Sequence, residues 1–232
     1  MLSWLSLIEI TVTAIVGGLA STTAYTGGVS KLVAESPQAA LPLAGAALLA
    51  NSIQYPRLLL IVAFISPALA QAALLPLWAM MLAGLVSSAI LVRPGAGAAA
   101  RDTSAGFKNP LTLGPALKFG VVFTGILFLT RAGSYFFGQI GQLITSALGG
   151  LIDTDAVLLS LAASFGENKT AAHDAVLCII LAAAANAVLK SGLAYLSRQP
   201  AFYLRLMAGF AVIVATGLVV FFVFGTRPIL AF

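Results

Sequence analysis

Gly149-Gly150-Leu151-Ile152-Asp153-Thr154-Asp155-Ala156 echoes an earlier stretch of the chain, Gly17-Gly18-Leu19-Ala20-Ser21-Thr22-Thr23-Ala24. Both glycines, the leucine, one threonine and the alanine recur in register, and at the same spacing Thr13 falls on Thr145. One helix length later, Leu48-Leu49-Ala50-Asn51 parallels Ala183-Ala184-Ala185-Asn186. Ser66-Pro67-Ala68 then parallels Gln199-Pro200-Ala201, and Met81-Leu82-Ala83-Gly84 parallels Leu206-Met207-Ala208-Gly209. Matches that keep their order along a chain mark an internal repeat, here of three helices.

Both peptides lie inside long apolar runs. Of 232 residues only 12 are Lys or Arg and 7 are Asp or Glu, so 8% are charged, against about 25% in an ordinary soluble domain. Hydrophobic residues make up 60%, and mean hydropathy is +1.05. So few charges cannot cover a soluble globule, which excludes soluble enzymes, disordered chains and disulfide scaffolds. The single cysteine, Cys178, sits in an apolar run and is expected as a core residue. The net charge of +5 is scattered between apolar stretches, which fits membrane topology and lipid headgroups and not nucleic acid.

The expected fold class is an all-α integral membrane protein, one polytopic domain over residues 1–232. A span needs about 20 apolar residues. Seven candidates run over about 4–30, 38–65, 71–92, 114–130, 135–165, 170–197 and 201–224. Repeat one then covers about 4–92 and repeat two about 135–224, with a linker at 93–112 and a linking helix at 113–132. The first and fifth helices are too long for a simple crossing and are expected to be broken at Gly-Gly. If all seven elements cross, the copies are parallel repeats. The positive-inside rule puts the linker, with Arg93, Arg101 and Lys108, in the cytoplasm.

Polar residues inside the apolar runs are costly and usually mark an ion or substrate path. Here they are Glu9, Asn51, Arg57, Asp153, Asp155, Asn186 and Lys190. Asp153 and Asp155 are the strongest candidates. Two positions apart on an intact helix they point about 200° apart, so both ligate one ion only if the chain unwinds. Their hard oxygens suit Mg²⁺, Ca²⁺, Mn²⁺ or a proton. The plain alternative is that one aspartate pairs with Lys190 or Arg57 and merely locks helices together. Asn186 and Lys190 share a face of the sixth helix, and Asn51 is the repeat counterpart of Asn186. Arg57 follows Pro56 at an expected kink. His173, the only histidine, sits in a polar loop beside Asp174 and cannot build a histidine-rich zinc site. There is no nucleotide-binding Gly-x-x-x-x-Gly-Lys-Ser/Thr loop and no hydrolase or zinc-protease pattern, so the chain is not expected to be an enzyme.

In order, Gly18 to Ala24, Leu49-Ala50-Asn51-Ser52 with Pro56-Arg57-Leu58-Leu59, Asn109-Pro110-Leu111, Gly150 to Ala156 with Leu159-Ser160-Leu161-Ala162, and Ala185 to Lys190 with Gly192-Leu193 resemble the DUF4010 membrane domain. That domain is often joined to an MgtC/SapB-like domain, which this chain is expected to lack. The resemblance covers nearly the whole chain. It implies a bacterial or archaeal inner-membrane protein, with a link to magnesium homeostasis by analogy and a possible MgtC-like partner.

The leading functional expectation is a secondary transporter or channel for a cation, divalent and Mg-like, through a polar path between the repeats. Asp153 and Asp155 are the expected metal ligands. Ser21, Thr22, Thr154, Asn51 and Asn186 are expected to add neutral oxygens, with Lys190 and Arg57 as countercharge. No cofactor is expected beyond the carried cation. The expected partners are the lipid bilayer and a second copy of the chain in a homodimer. Two rival readings remain: a non-transporting regulatory or assembly subunit, and an anion or small-solute carrier using Arg57 and Lys190.

Overall fold

The computed structural model describes residues 2–92, 113–167 and 169–225, apart from the side chains of residues 2–10, 113–120, 122, 123, 126, 127, 130, 131 and 134. The linker charges Arg93, Arg101 and Lys108, the side chain of Glu9 and the motif at Asn109-Pro110-Leu111 lie outside the described residues. The described residues form seven α-helices in order: α1 (Leu2–Glu35), α2 (Ala40–Ile65), α3 (Pro67–Leu91), α4 (Leu113–Ile152), α5 (Thr154–Gly166), α6 (Ala172–Tyr195) and α7 (Pro200–Phe224). A short 3₁₀ turn, Pro37–Ala39, leads into α2, and no strand occurs among the described residues.

Among the described residues, four segments are long and apolar enough to cross a membrane: Pro37–Ile65, Pro67–Leu91, Ala172–Tyr195 and Pro200–Phe224. The chain is an integral membrane protein. Large apolar side chains such as Phe64, Phe137 and Leu196 stand open on its surface, which lipid tolerates and water does not. The remaining helices are not simple spans. α5 has 13 residues, about 20 Å at 1.5 Å per residue, short of a hydrocarbon core of about 30 Å. α1 and α4, at 34 and 40 residues, are each interrupted by non-helical backbone.

In α4 the interruption is Gly138, at φ 57° and ψ −137°. That left-handed φ suits glycine, which has no Cβ to clash. Along a straight helix Gly133 and Gly141 would be about 12 Å apart. Instead a Cβ on Gly133 would lie 3.0 Å from the Gly141 carbonyl oxygen and 2.9 Å from Thr145 Cγ2, so the chain folds back on itself. The expected boundary near residues 131–134 therefore moves to Gly138. Arg131 and Gly133 look like an end in sequence, but the turn needs positive φ, and the residue that supplies it is Gly138.

The other two interruptions fall within the repeated peptides. Ser21 leaves the helix at φ −165° and ψ 105°. Asp153, between α4 and α5, has φ −156° and ψ 113°. These are matching positions of the two peptides, and both are ordinary extended backbone. The glycine pairs just before them are helical. The second glycine of each pair serves a different purpose, close helix contact. A Cβ on Gly18 would lie 2.5 Å from the Ala50 carbonyl oxygen, and one on Gly150 would meet the Ala182 carbonyl oxygen just as closely. Small residues permit such backbone approach between membrane helices.

The chain divides into two compact units whose boundaries, among the described residues, fall inside α2, α3, α6 and α7. The first comprises Met1–Arg57, Trp78–Ala105 and Ala187–Thr216; the second comprises Leu58–Leu77, Gly106–Asn186 and Gly217–Phe232. The first unit holds the Gly18–Ala50 crossing, and its α2 and α3 are joined by Ser88 Oγ donating to the Gly45 carbonyl at 2.7 Å. Its apolar core includes Leu43, Leu48, Phe202 and Leu206. The second unit holds the Gly150–Ala182 crossing and buries Leu158, Leu161, Cys178, Ile179 and Phe221.

Candidate functional site

A break in a helix strands carbonyls before it and amides after it, and in lipid these groups need partners from the protein. At the first break, Ser21 caps the restarted helix: its Oγ accepts from the Ala24 amide at 3.2 Å. Arg57 Nη1 donates to the Leu19 carbonyl at 3.0 Å. That carbonyl would have bonded Thr23 in an unbroken helix, so the guanidinium from α2 takes the place of a missing backbone donor.

Thr22, the first residue after this break, opens a buried polar stripe with Thr26 and Ser30. Each of the latter two hydroxyls donates four residues back, to the carbonyls of Thr22 and Thr26, at 2.8 and 2.7 Å. Lys190 enters against this stripe from α6. Its side chain is among the largest fully buried ones, at 1% exposure. Its Nζ donates to Thr22 Oγ1 at 2.8 Å, Asn51 Oδ1 at 2.6 Å and Gln54 Oε1 at 2.9 Å. Asn51 Nδ2 in turn donates to the Ala47 carbonyl at 2.8 Å and to Thr26 Oγ1 at 3.2 Å, which fixes the way its amide faces. Thr22 donates its own proton to Gln54 Oε1 at 2.9 Å.

The second break has different chemistry. Asp153 caps α5, with Oδ1 accepting from the amides of Asp155 at 2.8 Å and Ala156 at 3.2 Å. Asp155 lies in the first turn of α5, where the helix dipole favours a carboxylate. Asn186 Nδ2 donates to the Gly150 carbonyl at 3.1 Å. An unbroken helix would have bonded that carbonyl to Thr154, so Asn186 does for this break what Arg57 does for the first. Thr154 stands between the two aspartates at 6% exposure, and its Oγ1 has no hydrogen-bond partner among the described residues.

Of the residues singled out in sequence, Thr22, Asn51 and Lys190 meet in one cluster of the first unit, with Ser21 and Arg57 at the same break. Asp153, Thr154, Asp155 and Asn186 gather at the break of the second unit. The oxygens of Thr22 and Asn51 accept from Lys190. Sequence reasoning missed Gln54. With Gly18 and Ala50 set on Gly150 and Ala182, the counterpart of Asn186 is Gln54 rather than Asn51. The missed signal was the constant spacing already present in the glycine peptide. His173 sits beside Asp174, with ring nitrogen and carboxylate 3.4 Å apart, and is largely exposed. No group of three or more His, Cys, Asp or Glu side chains able to hold a metal ion occurs among the described residues. A separate open cleft of about 530 Å³ in the second unit is lined by Gln139, Gln142, Lys169, Thr170 and Asp174 among others, none of them a predicted site residue.

A family model, "Domain of unknown function (DUF4010)", matches residues 6–197. An uncharacterized protein of Aquifex aeolicus (strain VF5) is 31% identical over 121 residues, covering 51% of this chain and 53% of that protein. The chain thus spans about half the length of this relative. No solved structure matches. With a family model covering most of its length, both repeated peptides and both helix breaks included, the chain belongs to the DUF4010 family.

Proposed function

We propose that the chain is a secondary transporter or channel for a divalent cation of the bacterial inner membrane, with its ion site at the break between α4 and α5. The observation that carries this reading is the Thr154 hydroxyl, buried between Asp153 and Asp155 with no hydrogen-bond partner among the described residues. Buried polar atoms are rarely left unmet, and an ion or its water is a common reason when they are. The break also removes the geometric objection to two aspartates two residues apart. Asp153 is extended backbone and Asp155 is helical, so their side chains are not bound to opposite faces of one helix.

Two carboxylates and one hydroxyl make an incomplete shell, which suits an ion that keeps much of its water. Mg²⁺ is commonly held by one or two carboxylates with several waters. Asn186 supports the site by tying down the Gly150 carbonyl. Thr22 and Asn51 leave the ligand set, since their oxygens serve Lys190. Lys190 and Arg57 stay as fixed positive charge at the other break. The order of elements around the two breaks supports two three-helix repeats. An MgtC-like partner and a role in magnesium homeostasis rest on the family resemblance alone; a homodimer is the assembly that would give the single acidic break a second copy. The reading assigns the chain no catalysis.

The test is uptake of Mg²⁺ or Mn²⁺ into proteoliposomes. Wild type should carry the ion, and Asp155→Asn should lose most of the flux. A non-transporting regulator predicts no flux in either. The anion-carrier reading predicts anion uptake that survives Asp155→Asn; it is the weaker, because Lys190 and Arg57 already donate to protein oxygens.

A further inference from the structure

Lys190 is held as a cation is held, not as a snorkelling lysine is held. An ammonium has three N–H groups and no acceptor, and all three here meet an oxygen, at 2.6, 2.8 and 2.9 Å. Those oxygens are aimed beforehand. Asn51 is turned by its bonds to Ala47 and Thr26, Thr22 by its bond to Gln54, and Thr26 is itself anchored on the Thr22 carbonyl. The three oxygens come from α1 and α2, whereas the nitrogen comes from α6. Cage and occupant therefore belong to different helices. The helix restarting at Thr22 presents the positive end of its dipole, so the oxygens and not the dipole hold the charge.

We propose that Thr22, Asn51 and Gln54 form a binding site for a singly charged cation of ammonium or potassium size, which the Lys190 side chain fills as a tethered ligand. Two features set the class of ion. The three oxygens are neutral, so they suit a single charge better than a double one. They also sit wider than the 2.0–2.1 Å of Mg²⁺ or the 2.3–2.6 Å of Ca²⁺ ligands. This site is independent of the reading given to Asp153, since it lies in the other unit and its test involves no transport.

Removing the occupant should leave a cage open to a free ion. Purified Lys190→Ala should melt below wild type and regain several degrees in ammonium, methylammonium or potassium chloride. Choline chloride at matched ionic strength should not restore it, and magnesium chloride should shift the variant no more than it shifts wild type. Wild type should be indifferent to the choice among the monovalent salts. Adding Asn51→Leu to Lys190→Ala should abolish the response. Equal response to all salts, response to none, or a response that survives Asn51→Leu would overturn the proposal. If Lys190→Ala is not recovered folded, the yield of monodisperse protein extracted in methylammonium against choline becomes the readout. A higher yield in methylammonium supports the site, and equal yields overturn it.

Discussion

The two helix breaks share a position in the repeated peptide and a backbone geometry, yet they are finished with opposite charges. At Ser21 the loose groups are met by an uncharged cap and a guanidinium, and a buried ammonium sits on the adjacent Thr22 hydroxyl. At Asp153 they are met by a carboxylate cap and a neutral amide, and a second carboxylate stands in the first turn. The shared part solves a problem common to both: an interrupted helix in lipid must pair its stranded amides and carbonyls internally. The unshared part is therefore where distinct functions belong. An extended residue and a cap would suffice to make a break. Neither Asp155 nor Lys190 is needed for that.

The comparison can be broken most sharply by changing the charge and keeping the cap. Asn caps a helix about as well as Asp, so Asp153→Asn should leave thermal stability nearly unchanged while cutting ion flux tenfold or more. Unchanged flux would make Asp153 a cap and nothing else. A second test addresses the paired crossings. Gly18→Val and Gly150→Val both drive side-chain carbon into a facing carbonyl, and each should cost about 1–3 kcal/mol or more. At roughly 2–4 °C per kcal/mol for a chain of this size, the melting temperatures should fall by similar amounts. A large fall in one and none in the other would end the equivalence of the two crossings.

Smaller effects sharpen the contrast between the caps. Asp153→Ala removes two amide contacts and should cost about 1–2 kcal/mol, whereas Ser21→Ala removes one longer contact and should cost about 0.5–1 kcal/mol. Chemical denaturation in a mixed micelle would rank them, and the reverse order would contradict the account. Of similar size is Asn186→Leu, which should cost about 1 kcal/mol by stranding the Gly150 carbonyl. Exposure of the α5 start to hydrogen exchange should rise with it.

The sequence carried more of the breaks than of their surroundings. Ser21 and Asp153 occupy the same slot of the repeated peptide, and that slot could be found without coordinates. The glycine pairs beside them drew attention for the wrong reason. Glycine is a poor helix former, so Gly-Gly reads as the weak point; in the folded chain it is the contact point, and packing against Ala50 or Ala182 outweighs its low propensity. Gln54 stayed hidden because Asn51, the same residue type as Asn186, took its place in the repeat. Its importance depends on Thr22 and Lys190, which are distant in sequence. The turn at Gly138 was similarly silent, since a glycine with positive φ looks like any other glycine until the chain is seen to fold back.

The break at Asp153 is proposed to hold a divalent ion and the break at Ser21 to hold none. Equilibrium binding of Mn²⁺ to the purified protein, read as loss of the free-ion paramagnetic signal, decides this. Binding should be lost in Asp155→Asn, weakened in Asp153→Asn and unchanged in Ser21→Ala. Binding that survives both aspartate variants, or that fails only in Ser21→Ala, would contradict it.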